Sequence, residues 1–193
     1  AIAKDTLGCD FLTMLQDETA DNINKTVNTQ PLVLTAGYAI YLAWLKASND
    51  KKPQIVAGHS LGEWTALVAA GVLSFKDALK LVKLRAEAMQ EAVKPGEGAM
   101  AAVLGLEDDI IVTACKDVEK ETGGVVSGVN FNSPGQVVIA GDKISVEKAS
   151  ALLKEKGARK VQPLPVSVPS HCSLMMPAGV KLSEALKTVE FKT

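Results

Sequence analysis

The stretch Gly58-His59-Ser60-Leu61-Gly62 limits what this chain can fold into more than any other. A short apolar run, Ile55-Val56-Ala57, precedes it, and an alanine-rich segment of helical character, Trp64 to Ala70, follows. Strand, sharp turn and helix in that order are what a G-x-S-x-G nucleophile elbow requires, with the serine hydroxyl lifted to the top of a sheet. The turn is tight enough that side chains two residues before and after the serine would collide, which accounts for both glycines. Ser60 is therefore the candidate nucleophile. The helix that begins after it would aim free backbone N–H groups, that of Leu61 first, at an oxyanion forming on an attached acyl group. Five-residue matches also arise by chance, and it is the flanking strand and helix that favour the nucleophile here.

A chain of 193 residues can bury one substantial core, or one core with a smaller inserted unit. Its 21 basic and 22 acidic residues leave a net charge of -1, and no Lys/Arg cluster is interleaved with aromatics, so nucleic acid is not an expected partner. No apolar run approaches the roughly 18 residues of a membrane span, and the N-terminal residues lack the pattern of a signal peptide. A cytoplasmic location and no membrane association are expected. Cys9, Cys115 and Cys172 are odd in number and widely spaced, which argues against a disulfide framework. With two histidines, they offer no metal-ligand spacing either, so no metal is expected.

Along the chain, Phe11 to Leu15 reads as a short helix; the polar stretch with Asp17, Glu18, Asp21 and Asn22 reads as a loop leading to a second short helix. Leu34, Tyr38, Tyr41, Leu42 and Leu45 recur at helical spacing, and Pro31 suits the first turn of their helix. Gly71 closes the segment after the elbow, and Ser74 caps a helix running from Phe75 to about Val93. From Gly98 the pattern changes. A strand (99–105), an acidic helix (107–121), two strands (125–132 and 136–140) joined by Ser133-Pro134-Gly135, a basic helix (145–156) and a last strand (160–168) follow in turn. That order, βαββαβ, is the ferredoxin-like split motif. It reads as a subdomain over 97–165 inserted into a larger unit made of 1–96 and 166–193.

A serine hydroxyl needs a base to take its proton, and the chain holds two histidines. His59 precedes Ser60 and leaves the elbow in another direction, so by elimination His171, in Pro169-Ser170-His171-Cys172, is the candidate base. Cys172 reads as a small buried residue rather than a reactive thiol. On the helix after Ser74, Arg85 lies in the middle of an apolar stripe formed by Ala78, Leu81, Val82, Ala86, Ala88 and Met89. A guanidinium cannot shed its charge, so at such a place it needs an anion. Residue statistics leave open whether that anion is an Asp or Glu of the fold or a ligand.

Taken together, several blocks resemble the malonyl-CoA:acyl carrier protein transacylases over nearly the whole chain. They are Thr29-Gln30-Pro31, Gly58 to Glu63, Arg85 with Met89-Gln90-Glu91-Ala92, Gly98 to Ala102, Val129 to Gln136, and Pro165 to His171. The resemblance implies an α/β fold with a hydrolase-like parallel-sheet core and an inserted ferredoxin-like (βαββαβ) subdomain. It implies Ser60 as acyl acceptor, His171 as base, and Arg85 clamping the free malonyl carboxylate. Leu61, Gln30, Asn130 and Met89 line the substrate site by the same resemblance. The substrates would be malonyl-CoA and acyl carrier protein, whose phosphopantetheine arrives on the partner, with no further cofactor and the enzyme a monomer. The family has a G-Q-G loop ahead of a position like Ala1 and continues beyond one like Thr193. The sequence is then expected to be a portion of the protein, or a truncated form that keeps its nucleophile but loses much of its activity.

Other readings compete. A serine hydrolase or thioesterase uses the same elbow and histidine; against it stands Arg85, together with the absence of an evident Asp between Ser60 and His171. A polyketide-synthase-type acyltransferase would share the chemistry. A carrier-binding module without catalysis is the third. Residues 143–160 balance to +4 where residues 107–121 balance to -4, so an acidic carrier protein is expected to dock on the 143–160 side.

Overall fold

In the computed structural model, which describes residues 1–16, 23, 25–166 and 168–192, the chain divides into two units. Ala1–Ala88 with Lys181–Thr193 form the first, and Met89–Val180 the second. Where the sequence places Asp17, Glu18, Asp21 and Asn22, the expected loop and helix lie outside the described residues.

The first unit is helical. Helices α1 (Ile2–Leu7), α2 (Phe11–Gln16), α3 (Thr26–Ala47) and α4 (Leu61–Ala69) precede α5 (Phe75–Ala92). Phe11, Leu32, Leu34, Trp64, Val68, Leu79 and Val82 build its core, against which Leu182, Ala185 and Leu186 also pack. The Ser74 cap is made as the sequence suggests: its Oγ accepts from the Asp77 N–H at 3.0 Å and donates to the Asp77 carboxylate at 2.6 Å.

Pro31 does not open α3. The helix starts five residues earlier, at Thr26, and Pro31 sits inside it. A proline has no N–H for the carbonyl four residues back, that of Val27. The Lys83 ammonium, from α5, donates to the Val27 carbonyl at 3.4 Å and supplies part of what is missing. The proline is thus tolerated where a side chain from the neighbouring helix replaces its absent donor.

The strand expected at Ile55-Val56-Ala57 is not formed, and Ile55 is 85% exposed. A strand needs neighbours for its N–H and C=O groups, and the described residues of this unit contain no other strand. Every strand pair of the described residues is antiparallel. The parallel-sheet core expected from the sequence is therefore absent among them, and what stands is the coarser description of helices with one sheet.

That sheet lies in the second unit. Strand β1 (Gly98–Leu104) is followed by helix α6 (Asp108–Thr122), strands β2 (Val126–Ser133) and β3 (Gln136–Asp142), helix α7 (Lys143–Glu155) and strand β4 (Lys160–Pro163). The strand order is β2-β3-β1-β4. Val103, Ile111, Val118, Val137, Ile139, Ala149 and Leu153 fill the space between the sheet and its two helices. β4 stops five residues short of the expected Val168, because Pro163 and Pro165 cannot donate to a ladder. One further bond, from the Leu164 N–H to the Met100 carbonyl at 2.9 Å, extends the contact. A turn of 3-10 helix (Ser173–Met175) then leads into α8 (Met176–Leu186).

Asp142 ties this unit together at the junction of β3 and α7. Its carboxylate accepts from the Ser145 N–H at 2.9 Å, capping α7, and from the Val125 N–H at 2.6 Å. Burial pushes the Asp142 carboxyl up, but the hydrogen bonds from Ser145 and Val125 outweigh it and hold the group below the usual carboxylate range. A depressed folded-state pKa contributes stability above the unfolded value of roughly 3.9 and loses it as pH falls through the folded value. Asp142→Ala is accordingly expected to cost about 1–2 kcal/mol at neutral pH. Urea unfolding should show that difference shrinking as the pH is lowered below about 4; a constant difference down to pH ~2 would contradict this role.

Candidate active site

The turn and the helix of the expected elbow are formed, but the strand expected before them is not. Ser60 is the N-cap of α4 at φ 53° and ψ -110°, a left-handed backbone that costs a non-glycine residue about 1–3 kcal/mol. The turn before it brings Gly58 against the next turn: a Cβ there would lie 2.0 Å from the Gly62 carbonyl carbon and 2.3 Å from the Glu63 nitrogen. At Gly62 a Cβ would meet nothing within 4 Å. The crowding expected of both glycines is borne by Gly58 alone. Gly58→Ala is expected to destabilise the protein by about 3 kcal/mol or more, because the obstacle is backbone. Gly62→Ala should change stability by no more than about 1 kcal/mol, in the stabilising direction. Paired melting temperatures of the two variants test this; equal losses would contradict the one-sided packing.

An N-cap serine normally bonds the N–H of its own helix, but Ser60 makes no such cap bond. Instead its Oγ accepts from Arg85 Nη2 at 2.9 Å. The other guanidinium arm, Nη1, donates to Gln30 Oε1, and Gln30 Nε2 donates to Thr26 Oγ1 at 2.9 Å. Gln30 is 7% exposed. So α3, α4 and α5 of one unit bring Gln30, Ser60 and Arg85 together, with Leu61 the first residue of α4 beside them.

Burial lowers the Arg85 pKa from its ordinary value, and the charge of Glu63 opposes that shift. Both hydrogen-bond acceptors of the guanidinium are neutral, and none of the ion pairs among the described residues involves Arg85. The alternative left open by the sequence, a carboxylate of the fold paired with Arg85, is not what the described residues contain. A half-buried cation held by a glutamine and a serine can receive an anion at the serine. Thr26 carries no signal in the sequence while Pro31 reads as opening the helix; because α3 starts at Thr26, Thr26 and Gln30 are one turn apart.

The remaining candidates lie in the second unit. His171 is exposed, in a turn, at φ 70°. Ser60 and His171 are thus two of the four non-glycine residues with positive φ among the described residues; the others are Asn49 and Asp50, types that tolerate it. Asn130 is half-buried on β2, opposite Val138 and between two irregularities of register, the kind of local kink that re-aims side chains. Met89 is buried near the end of α5. Cys172 is buried, with its thiol donating to the Pro169 carbonyl, and burial pushes its pKa up. Cys115 is pushed up to about 12 by burial and the neighbouring Glu119. Neither thiol is poised to react.

The charge contrast between α6 and α7 is partly cancelled where the helices meet. Lys148 Nζ of α7 lies 2.6 Å from Glu121 Oε1 of α6. Lys154, Lys156, Arg159 and Lys160 remain exposed. Among the described residues no helix is long and apolar enough to cross a membrane, and no cluster of His, Cys, Asp or Glu could hold a metal.

A strained serine at a helix start is thus bonded by an arginine that forms no ion pair among the described residues. The chain belongs to the acyl transferase domain family, whose model matches residues 2–193. It is 53% identical over 191 residues to the malonyl CoA-acyl carrier protein transacylase of Haemophilus influenzae, covering 99% of this chain and 61% of that one. Among solved structures, the acyl-carrier-protein S-malonyltransferase of Burkholderia pseudomallei shares 54% identity at a TM-score of 0.92, over 99% of this chain and 61% of that one. A malonyl-transacylase solved with a type II PKS acyl-carrier protein shares 50% identity at a TM-score of 0.94, over the same shares. The chain spans about three fifths of the length of the relatives it matches.

Proposed function

We propose that this protein transfers malonyl from malonyl-CoA to the phosphopantetheine thiol of acyl carrier protein, in fatty-acid synthesis, through a seryl ester on Ser60. The observation that carries the proposal is Arg85, a cation with no ion pair among the described residues, 2.9 Å from the Ser60 hydroxyl. Because a guanidinium can only donate, the Ser60 oxygen accepts from Arg85, and its own O–H is directed elsewhere.

In the proposed reaction His171 takes that proton as Ser60 Oγ attacks the thioester carbonyl. The oxyanion is met by the Leu61 N–H at the start of α4. Collapse of the intermediate breaks the C–S bond, and the proton leaves with the CoA thiol. The carrier thiol then attacks the ester by the reverse path and restores Ser60. Throughout, the malonyl carboxylate is held by Arg85, with Gln30 steadying the guanidinium and Asn130 and Met89 bounding the site. No metal or bound cofactor has a role in this scheme.

The finer fold belongs to the same proposal: a hydrolase-like core of 1–96 and 166–193, carrying a ferredoxin-like subdomain at 97–165. The βαββαβ order and the high structural similarity to longer relatives support it. The protein is proposed to be a cytoplasmic monomer. The relative solved with a polyketide carrier supports extending the acceptors to carriers of that pathway. The basic surface offered to an acidic carrier is then Lys154, Lys156, Arg159 and Lys160 rather than Lys148.

Labelled malonyl-CoA followed by carrier protein tests the proposal. Label on the carrier thiol is the expected result. Free malonate, released at the same rate without carrier, would make the protein a hydrolase, and no label on protein or carrier would leave a binding module.

A further inference from the structure

We infer that Thr26 is a positioning residue that anchors the Gln30 side-chain amide and, through it, holds the Arg85 guanidinium at Ser60. The geometry stands by itself; its consequence for substrate choice rests on the malonyl reading above.

The chain of donors has one consistent polarity. Arg85 offers only N–H groups, so the oxygen of the Gln30 amide must face it. The amide NH2 then points the other way, into a site where Gln30 is 7% exposed, and Thr26 Oγ1 accepts from it at 2.9 Å. Turning the amide over would set its NH2 against the guanidinium, donor against donor. Arg85 thus selects the orientation, and the threonine hydroxyl, one helical turn before Gln30, holds the amide in it by accepting from the far side. A second bond fixes the same two helices beside it. Lys83 of α5 donates to the carbonyl of Val27, the one that Pro31 leaves without a helical partner. Val27 and Gln30 on α3 thus face Lys83 and Arg85 on α5, with Thr26 behind Gln30, and the start of α3 is the platform from which Arg85 is aimed.

Thr26→Val keeps the side-chain shape and removes the acceptor, and Thr26→Ser restores it. In Thr26→Val the ratio of kcat/KM for malonyl over acetyl transfer is expected to fall about tenfold, mostly through a higher KM for malonyl-CoA, with Thr26→Ser near wild type. An equal fall for both acyl groups, or no change, would overturn the inference. A readout free of turnover separates it from the function itself. The 15N guanidinium resonances of Arg85 are expected to shift in Thr26→Val and to return in Thr26→Ser. Resonances unmoved by Thr26→Val would refute the relay even in an active enzyme. Resonances that respond in a protein that never takes up malonyl would uphold the relay and refute the malonyl reading.

Discussion

Arg85→Ala is expected to reduce malonyl transfer roughly 30- to 900-fold while sparing or improving transfer of acetyl. The range corresponds to about 2–4 kcal/mol, the cost of losing a charge-assisted guanidinium–carboxylate contact away from bulk water. Acetyl has no second carboxylate and loses nothing. The structure sharpens the expectation, since the guanidinium holds two neutral groups, Gln30 and Ser60, and is not spent on an ion pair among the described residues. Steady-state kcat/KM for the two CoA esters decides it. If both fell by the same factor, Arg85 would be a structural residue and the substrate assignment would lose its physical basis.

His171→Ala is expected to slow formation of the acyl-enzyme by roughly 10²- to 10⁴-fold, the usual contribution of general-base assistance. Ser60→Ala should abolish the adduct altogether, and replacing His59 should leave the chemistry nearly intact. The backbone supports the two choices independently of the motif, because Ser60 and His171 both adopt the left-handed conformation that side chains rarely tolerate. Such strain persists where the surroundings hold a residue in a working position. Rapid-quench measurement of acylation separates the cases. A folded His59 variant as slow as His171→Ala would overturn the assignment of the base.

The features legible in the sequence were those set by local chemistry. Helical periodicity after Ser74 placed Arg85 on a buried face, and turn residues such as Ser133-Pro134-Gly135 delimited the strands of the second unit. What escaped depended on partners distant in sequence. Ile55-Val56-Ala57 has the composition of a buried strand, yet a strand exists only with neighbours, and the described residues offer it none. Pro31 looked like a helix start because its missing N–H is harmless there. Its place inside α3 depends on Lys83, more than fifty residues away in sequence. The same misplaced start hid Thr26. Lys148 belongs to a basic face by sequence alone, and only the packing of α6 beside α7 pairs it with Glu121.

The central claim is that Ser60 carries a malonyl ester, and peptide mass mapping after brief exposure to malonyl-CoA, quenched in acid, tests it most directly. The account predicts one malonyl group on the peptide containing Ser60, absent in Ser60→Ala and discharged on addition of carrier protein. A malonyl group found on another residue, or a fully folded protein that takes up none, would contradict it.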